Sequence, residues 1–360
     1  MSQVSWEDNI FGKISNADWL DVGALPPARQ NDPVDILLGD EKTDNLVARW
    51  EYIASEYGIP MMAQFHSFDT EAQTTVRVPI DSRNIEKGLI KVKLNQSERL
   101  RALQNTGVVN NQDLYDYVIN DGVRLADQVV TRTKVAKNEL LATGKVTIKE
   151  NNLDLTVDYG VPNAQTAFTI ELNEEADISA QIQEIIDYAL SIGVTITGMI
   201  TSRANIAKMR RNKTLMTAIN GNIGAGALIR QTALNEYLSE EFGINQVITN
   251  DLTYALPTTE VGADGRPVIT QKRYFPTDKI TFFASNPSGK IGTGLWGNPP
   301  EVDAARFYDV SGSSVSPYVY LMQWMEKDPA VLWTKASSLF MPVLYNPNSL
   351  FIATATDTGA

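Results

Sequence analysis

Apolar and polar residues alternate differently in successive parts of this 360-residue chain. The clearest helical pattern covers residues 111–143, where apolar side chains such as Leu125 and Val129 recur every three or four positions. Aspartates near its start and basic residues near its end suit the helix dipole, and Gly144 follows its last apolar position, Leu140. The pattern predicts one long helix, roughly 45 Å from end to end.

Two stretches with the period of a strand flank this helix in the sequence. Residues 75–78 and 90–94 alternate apolar with polar or basic side chains, which predicts a β-hairpin over about 62–95 with DSRNIEKG as its turn. KVTIKE (145–150) and LDLTVDYG (153–160) predict a second hairpin. An isolated two-stranded ribbon is marginally stable in water, so the first hairpin needs a further surface to lie on, from its own domain or from a neighbour.

Helical and strand patterns alternate between residues 191 and 312, which predicts an α/β unit. Its elements are the strand VTITGMI, a helix from Ser202 to about Ile219, a helix ending near Phe242, and the strands NQVITN and KITFFA. The residues from 313 onward are aromatic and rich in strand formers. We expect them to return to the hairpin beneath the long helix, which makes the α/β unit an insertion within an α+β domain.

The first 45 residues show no such period and contain nine acidic against three basic side chains. Turn-forming glycines and prolines are frequent, and bulky apolar side chains are spaced through the segment at Trp6, Phe11 and Trp19. This composition predicts an arm whose apolar groups are buried by a partner surface. A short helix from about Asp44 to Tyr57 is expected to follow it.

Composition excludes several classes of protein. With 43% hydrophobic and 21% charged residues the chain has the composition of a folded protein, and its net charge of −12 argues against non-specific attraction to DNA or acidic membranes. There is no cysteine and one histidine, His66, which we expect to be structural. No apolar run has the length of a membrane span and no secretory core is present, which predicts a cytoplasmic protein. We predict no catalytic, cofactor-binding or metal site.

Two motifs suggest a ligand at first sight. In SNPSGKIGTGLWGNPPE, the glycines Gly292, Gly294 and Gly297 have the spacing of a dinucleotide-binding turn. Pro299 and Pro300 follow, however, and no standard helix can begin where the pyrophosphate would need one. We predict a flexible interdomain turn with Trp296 as its apolar contact. The basic stretch from residue 208 to 213 is expected to be a solvated or intersubunit helix face rather than a nucleic-acid site.

Four segments together carry a resemblance to a known family. They are FHSFDTEAQTTVRVPI, LATGKVTIKENNLDLTVDYGVP, GVTITGMITSRANIAKMRRNKTLMTAI and GTGLWGNPPE. Their pattern and order, over roughly residues 45–355, resemble the lambda-type major capsid proteins of tailed phages (phage major capsid protein E), which have the Hong Kong 97-type capsid fold. The resemblance is one of layout and does not rest on a short invariant motif.

The resemblance implies names for the predicted segments of an α+β capsid fold. They are an N-terminal arm (1–45), a short helix and extended loop (46–98), a peripheral domain (99–190) with its spine helix (111–143), an inserted α/β axial domain (191–312), and C-terminal strands that return to the peripheral domain (313–360). Candidate contacts between subunits are Trp6, Phe11, Trp19, Arg77, Lys91 and Lys93. The interdomain turn comprises Gly292, Gly294, Trp296 and Gly297.

The same resemblance implies a function and partners. Copies of the chain are expected to form the hexamers and pentamers of an icosahedral virion head, assembled in the host cytoplasm, that encloses double-stranded DNA without reading its sequence. Scaffolding and portal proteins, and a decoration protein, are the partners implied. A nanocompartment of the encapsulin type or a gene-transfer particle is the alternative for the same fold. A nucleotide-binding enzyme using the glycine-rich stretch is a more distant alternative.

Overall fold

A computed structural model of the chain describes residues 31–53, 80–96, 111–151, 153–221, 227–261, 267–304, 311–315, 318–326 and 331–357. The strands of these residues are β1 Leu38–Lys42, β2 Val47–Ile53, β3 Ile80–Glu86, β4 Gly88–Gln96, β5 Lys145–Glu150, β6 Leu153–Asp158, β7 Phe168–Glu171, β8 Gly198–Thr201, β9 Gln246–Thr249, β10 Thr253–Val261, β11 Pro267–Arg273, β12 Lys279–Phe283, β13 Gly292–Gly297, β14 Ser311–Val315, β15 Val319–Met325, β16 Leu332–Leu344 and β17 Leu350–Thr356. The α-helices are α1 Asn111–Thr143, α2 Asn163–Thr166, α3 Ile178–Ser191, α4 Arg203–Met209, α5 Lys213–Asn220, α6 Gln231–Phe242 and α7 Glu301–Ala304.

The larger of two main sheets is organised around the long strand β16. Antiparallel partners of β16 are β13, β15 and β4, and β4 pairs with it from Gly88 to Gln96. At one edge β1 runs parallel to β13, and at the other β14 pairs with β15. Segments far apart in the sequence therefore meet in one sheet.

Helix α1 packs against this larger sheet. It begins and ends at the residues predicted from its apolar period. Leu125, Val129, Ala136 and Leu140 are buried in a shared core with residues of β1, β13 and β16. Each large aliphatic side chain so buried stabilises the fold by about 2 kcal/mol.

The second main sheet has the strand order β7-β17-β12-β8-β9. Helices α3, α4, α5 and α6 supply its core through Ile182, Met209, Leu215 and Leu234. The helix predicted from Ser202 to Ile219 is instead two helices, because the Asn212 side chain accepts a hydrogen bond from the Leu215 amide (2.9 Å) and caps a new start.

The C-terminal strands divide between the two sheets, which corrects one prediction. Strand β16 belongs to the larger sheet, whereas β17 pairs with β12 and β7 in the second. Neither joins the β5–β6 hairpin, which forms a separate two-stranded sheet. The second sheet thus contains β7 and β17, which lie outside the predicted α/β unit (191–312). Strand β13 lies within that unit in the sequence but belongs to the larger sheet. Apolar alternation identifies a strand and its buried face but does not identify its partner.

Two predictions near the start of the chain are also wrong. Residues 47–53, expected in a helix, form β2, which pairs with β3 over seven positions. Their sequence VARWEYI is rich in β-branched and aromatic residues that suit a strand. The expected turn DSRNIEKG contains β3, so β3 and β4 do not form the predicted hairpin. The first part of that hairpin, residues 62–79, lies outside the described residues.

The predicted arm extends too far into the chain. Residues 1–30 lie outside the described part, but a 3-10 turn at Pro33–Ile36 and strand β1 belong to the folded core. Val34, Leu37 and Leu38 are fully buried. Among the helices that the structure describes, none combines the length and the apolar character that a membrane span requires.

Candidate functional site: a buried anchor for the N-terminal segment

The glycine-rich stretch forms strand β13, so the prediction of a turn is wrong for Gly292, Gly294, Trp296 and Gly297. The strand lies between β1 and β16, and both neighbours pair with it. Prolines and glycines near the stretch indicated a turn, but the two distant strands that hold it extended are not visible in the local sequence.

The glycines are required because neighbouring atoms occupy the space of a side chain. A Cβ on Gly292 would come within 2.1 Å of the Val343 carbonyl oxygen. A Cβ on Gly294 would come within 2.7 Å of an Asp40 carboxylate oxygen and 2.9 Å of Cε of Lys137. Close packing therefore accounts for this glycine spacing without any nucleotide.

Lys137 of α1 is the charged centre of the site, with only 2% of its side chain exposed. Its Nζ lies 2.7 Å from Oδ1 of Asp35 and 2.8 Å from Oδ1 of Asp40. The same Asp40 oxygen accepts a hydrogen bond from Nε1 of Trp296 (2.8 Å). A buried ammonium group needs such partners because its desolvation would otherwise be costly. The pairs fix residues 35–40 to the helix.

Asp32 forms a second buried node beside this pair. Its Oδ1 accepts hydrogen bonds from the Val34 amide and from Nδ2 of Asn250, both at 3.0 Å, and its Oδ2 accepts one from Nδ2 of Asn138 at 2.6 Å. Burial raises the pKa of the Asp32 carboxyl above its ordinary value, although the hydrogen bonds from Val34 and Asn138 oppose the shift. The node joins the N-terminal segment, helix α1 and the end of β9.

Lys87, between β3 and β4, binds the backbone at the C-terminal end of β1. Its Nζ donates to the carbonyl oxygens of Thr43 (2.7 Å) and Trp296 (3.0 Å), and the residue is 3% exposed. Burial lowers the pKa of Lys87, and the charge of Asp44 partly opposes this shift. We call residues 32–43 with their partners Lys87, Lys137, Asn138, Asn250 and Trp296 the N-terminal anchor.

The anchor has the chemistry of a structural joint. Lys87 and Lys137 bind backbone carbonyl oxygens and carboxylates, and the backbone of β13 pairs with β1 and β16. A phosphate cradle needs amides free at a loop or a helix start, which this strand does not offer. The arrangement holds residues 32–43 against the two sheets.

The family model of the phage major capsid protein E matches residues 55–355. The chain belongs to this family. It is therefore a major capsid protein of a phage or prophage, and its family is one of structural proteins.

Solved structures agree with the Hong Kong 97-type capsid fold expected of the family. A phage-related protein from Bordetella bronchiseptica is 8% identical, with a TM-score of 0.50 over 94% of this chain and 96% of that one. A candidate prophage capsid protein of E. coli is 16% identical, with a TM-score of 0.48 over 77% and 80%. The capsid protein of the Myoviridae phage XM1 is 11% identical, with a TM-score of 0.46 over 91% and 94%. No curated protein matches the chain.

Only part of the predicted contact surface of this capsid protein can be located. Trp6, Phe11, Trp19, Arg77 and also His66 lie outside the described residues. Lys91 and Lys93 are exposed on β4, which pairs with β16 of the same subunit. Nζ of Lys93 lies 4.1 Å from the ring centroid of Trp333. Contacts of these two lysines with another subunit remain a prediction.

The basic stretch at 208–213 is engaged within the subunit of this capsid protein. Lys208 pairs with Asp357 (2.7 Å), Lys213 pairs with Glu175, and Nε of Arg210 donates to the Ile229 carbonyl oxygen (2.6 Å). These contacts attach α4 and α5 to neighbouring segments.

Sequence reasoning missed the anchor altogether. One signal was available, since Lys137 and Asn138 follow Ala136 within the most strongly periodic part of the helix. Two adjacent polar residues in a helix segment with a buried face can indicate that polar partners are buried beside them. Those partners were not predictable, because Asp35 and Asp32 lie 102 and 106 positions away along the chain.

Proposed function

We propose that this capsid protein assembles into the hexamers and pentamers of an icosahedral head that encloses double-stranded DNA. The observation that carries the proposal is the family match over residues 55–355.

The domain layout of the family is part of the proposal. Helix α1 acts as the spine helix of a peripheral domain, and the second sheet with α3 to α6 acts as the axial domain near the symmetry axes. Strands β2 and β3 form the base of the extended loop. The arm proper comprises residues 1–30, since the anchor belongs to the subunit core.

The remaining parts of the function follow from composition and family. The net charge of −12 suits a wall that encloses DNA without binding it tightly. The shell has no catalytic activity, assembles in the host cytoplasm, and uses scaffolding and portal proteins as partners, with a decoration protein as a further one. We propose no covalent link between subunits, so dissociated particles give a single band of 39.7 kDa in denaturing electrophoresis.

Electron microscopy of the purified full-length protein tests the proposal. We expect closed particles tens of nanometres across, and particles from the natural source should contain nuclease-protected DNA. Particles filled with protein would instead support a nanocompartment. A protein that stays in single subunits under all assembly conditions would contradict the shell function.

A further inference from the structure

A cleft opens on the subunit surface between helix α1, strand β4 and the β5–β6 hairpin. Apolar side chains line most of it, among them Ile90, Ala136, Ile148, Leu153 and Met341. Its volume is about 120 Å³. An apolar protein cavity of about 150 Å³ holds one benzene molecule, so this smaller, open cleft takes up part of an aromatic side chain and leaves the remainder at its mouth.

The apolar side chains of β6 at the edge of the cleft, which we call its lip, are only partly covered by their own subunit. Leu153, Leu155 and Val157 alternate on one face of β6. Val157 is 7% exposed in the core, whereas Leu155 is 41% and Leu153 52% exposed. The apolar face thus continues outward beyond the part that its own subunit covers.

Positively charged side chains outnumber negatively charged ones at the rim of the cleft, although the chain as a whole is acidic. Lys91 and Arg132 line it together with one carboxylate, Glu150, which lies 3.0 Å from Nε of Arg132. An aromatic side chain with acidic neighbours matches this combination of an apolar floor and a basic rim.

We propose that the cleft receives an aromatic side chain from residues 1–30 of a second copy of this chain. Within that segment, Trp6 precedes Glu7 and Asp8, and Trp19 stands beside Asp18 and two positions before Asp21. These are the acidic flanks that the rim selects. The inference rests on the proposed shell function, which gives each subunit neighbours.

The anchor explains why the segment comes from another copy. It holds Asp32 against Asn138 of α1. At about 100° per residue, Asn138 lies about 200° around the helix from Ala136, which faces the cleft. Asp32 therefore lies on the far side of α1 from this cleft, so residues 1–30 of the same chain would have to pass around the helix to reach it, whereas those of a second copy would not.

Cysteine cross-linking tests this directly, because the natural chain has no cysteine. Two single variants, Leu153→Cys and either Ser5→Cys or Leu20→Cys, are co-assembled and treated with a short bismaleimide. Ser5→Cys and Leu20→Cys place the thiol beside Trp6 or Trp19 and keep the aromatic side chain. Leu190→Cys replaces Leu153→Cys in the matched control, since Leu190 is a leucine of similar exposure, 54%, on helix α3. If docking holds the two thiols close together, this pair should give about tenfold more cross-linked dimer than the control pair.

The outcomes separate the two proposals. Dimer with Leu153→Cys but not with Leu190→Cys supports docking between copies. Normal particles in which neither Ser5→Cys nor Leu20→Cys cross-links to Leu153→Cys overturn the inference and leave the shell function intact. Intramolecular linkage in the double variant, without dimer in the mixture, shows that the segment folds onto its own subunit and also overturns it. If the natural protein forms no particles, the shell function itself fails.

Discussion

The N-terminal anchor and the cleft beside β6 both adjoin helix α1 and differ in the chemistry of the side chains that build them. The anchor is built from charged and polar groups that are buried and bound to one another, such as Lys137 with Asp35 and Asp40. The cleft is built from apolar groups, and its lip at Leu153 and Leu155 remains exposed. One is complete within a subunit, and the other is not.

This difference indicates which contacts a shell subunit must make before assembly. A buried charge without its partner costs several kcal/mol, so a charged joint must be complete whenever the subunit is folded. Exposed leucines cost little in a free subunit and contribute when a neighbour covers them. We infer that the anchor fixes where the N-terminal segment leaves the subunit. The exposed side chains of the cleft become buried only when another copy binds there.

The largest expected effect comes from Lys137→Met in the unassembled subunit. Removing the ammonium group leaves Asp35 and Asp40 without their cation, and we expect a loss of about 3 kcal/mol in the free energy of unfolding, because both carboxylates keep some contact with water. Urea denaturation measures it. Lys149→Met removes an exposed pair with Asp154 and should cost less than about 0.5 kcal/mol. Equal losses would contradict the buried anchor.

Gly292→Ala should be the next most damaging change. The new Cβ meets the Val343 carbonyl oxygen, which belongs to the backbone of β16 and cannot easily move, so we expect a loss of about 2–3 kcal/mol. Gly39→Ala is the matched control on the neighbouring strand, where the new Cβ meets only the flexible end of Lys290. Thermal unfolding of both variants checks this, and similar melting temperatures would show that β13 is not closely packed.

At low pH, Asp32→Asn should cost about 1–2 kcal/mol, because even a protonated carboxyl group can accept hydrogen bonds through both oxygens, whereas the amide nitrogen of Asn accepts none. The effect should depend on pH. Since burial raises the pKa of Asp32, the stability contributed by its protonated form is complete below about pH 4 and declines as pH rises through the raised pKa. The natural protein should therefore exceed the variant in free energy of unfolding by the largest amount at low pH, and by less as the pH rises. Parallel pH profiles would rule out this role for the carboxyl group.

Leu153→Ser should have the smallest effect on the free subunit. The side chain is half exposed, so we expect a change within about 0.5 kcal/mol in urea denaturation. A loss comparable to that of Lys137→Met would mean that the lip of the cleft is already part of the subunit core, and the comparison between the two regions would fail.

Much of the local structure followed from the sequence, because periodic apolar patterns determine it. Helix α1 and strand β5 have their predicted bounds, and β6 begins where predicted but ends at Asp158 rather than at Gly160. Predictions failed where a distant partner decides the conformation. Residues 292–297 are extended because β1 and β16 flank them, and residues 47–53 are extended because β3 pairs with them. The anchor depends on the same kind of long-range meeting, between Asp32, Asn138 and Asn250.

Hydrogen exchange in free subunits and in assembled particles tests the central claim most directly. The amides of β1 should be protected equally in both states, because the anchor is complete in the subunit. Residues 1–30 and the β5–β6 hairpin should gain protection only in particles. Rapid exchange of β1 in free subunits, or an unchanged β5–β6 hairpin in particles, would contradict the account.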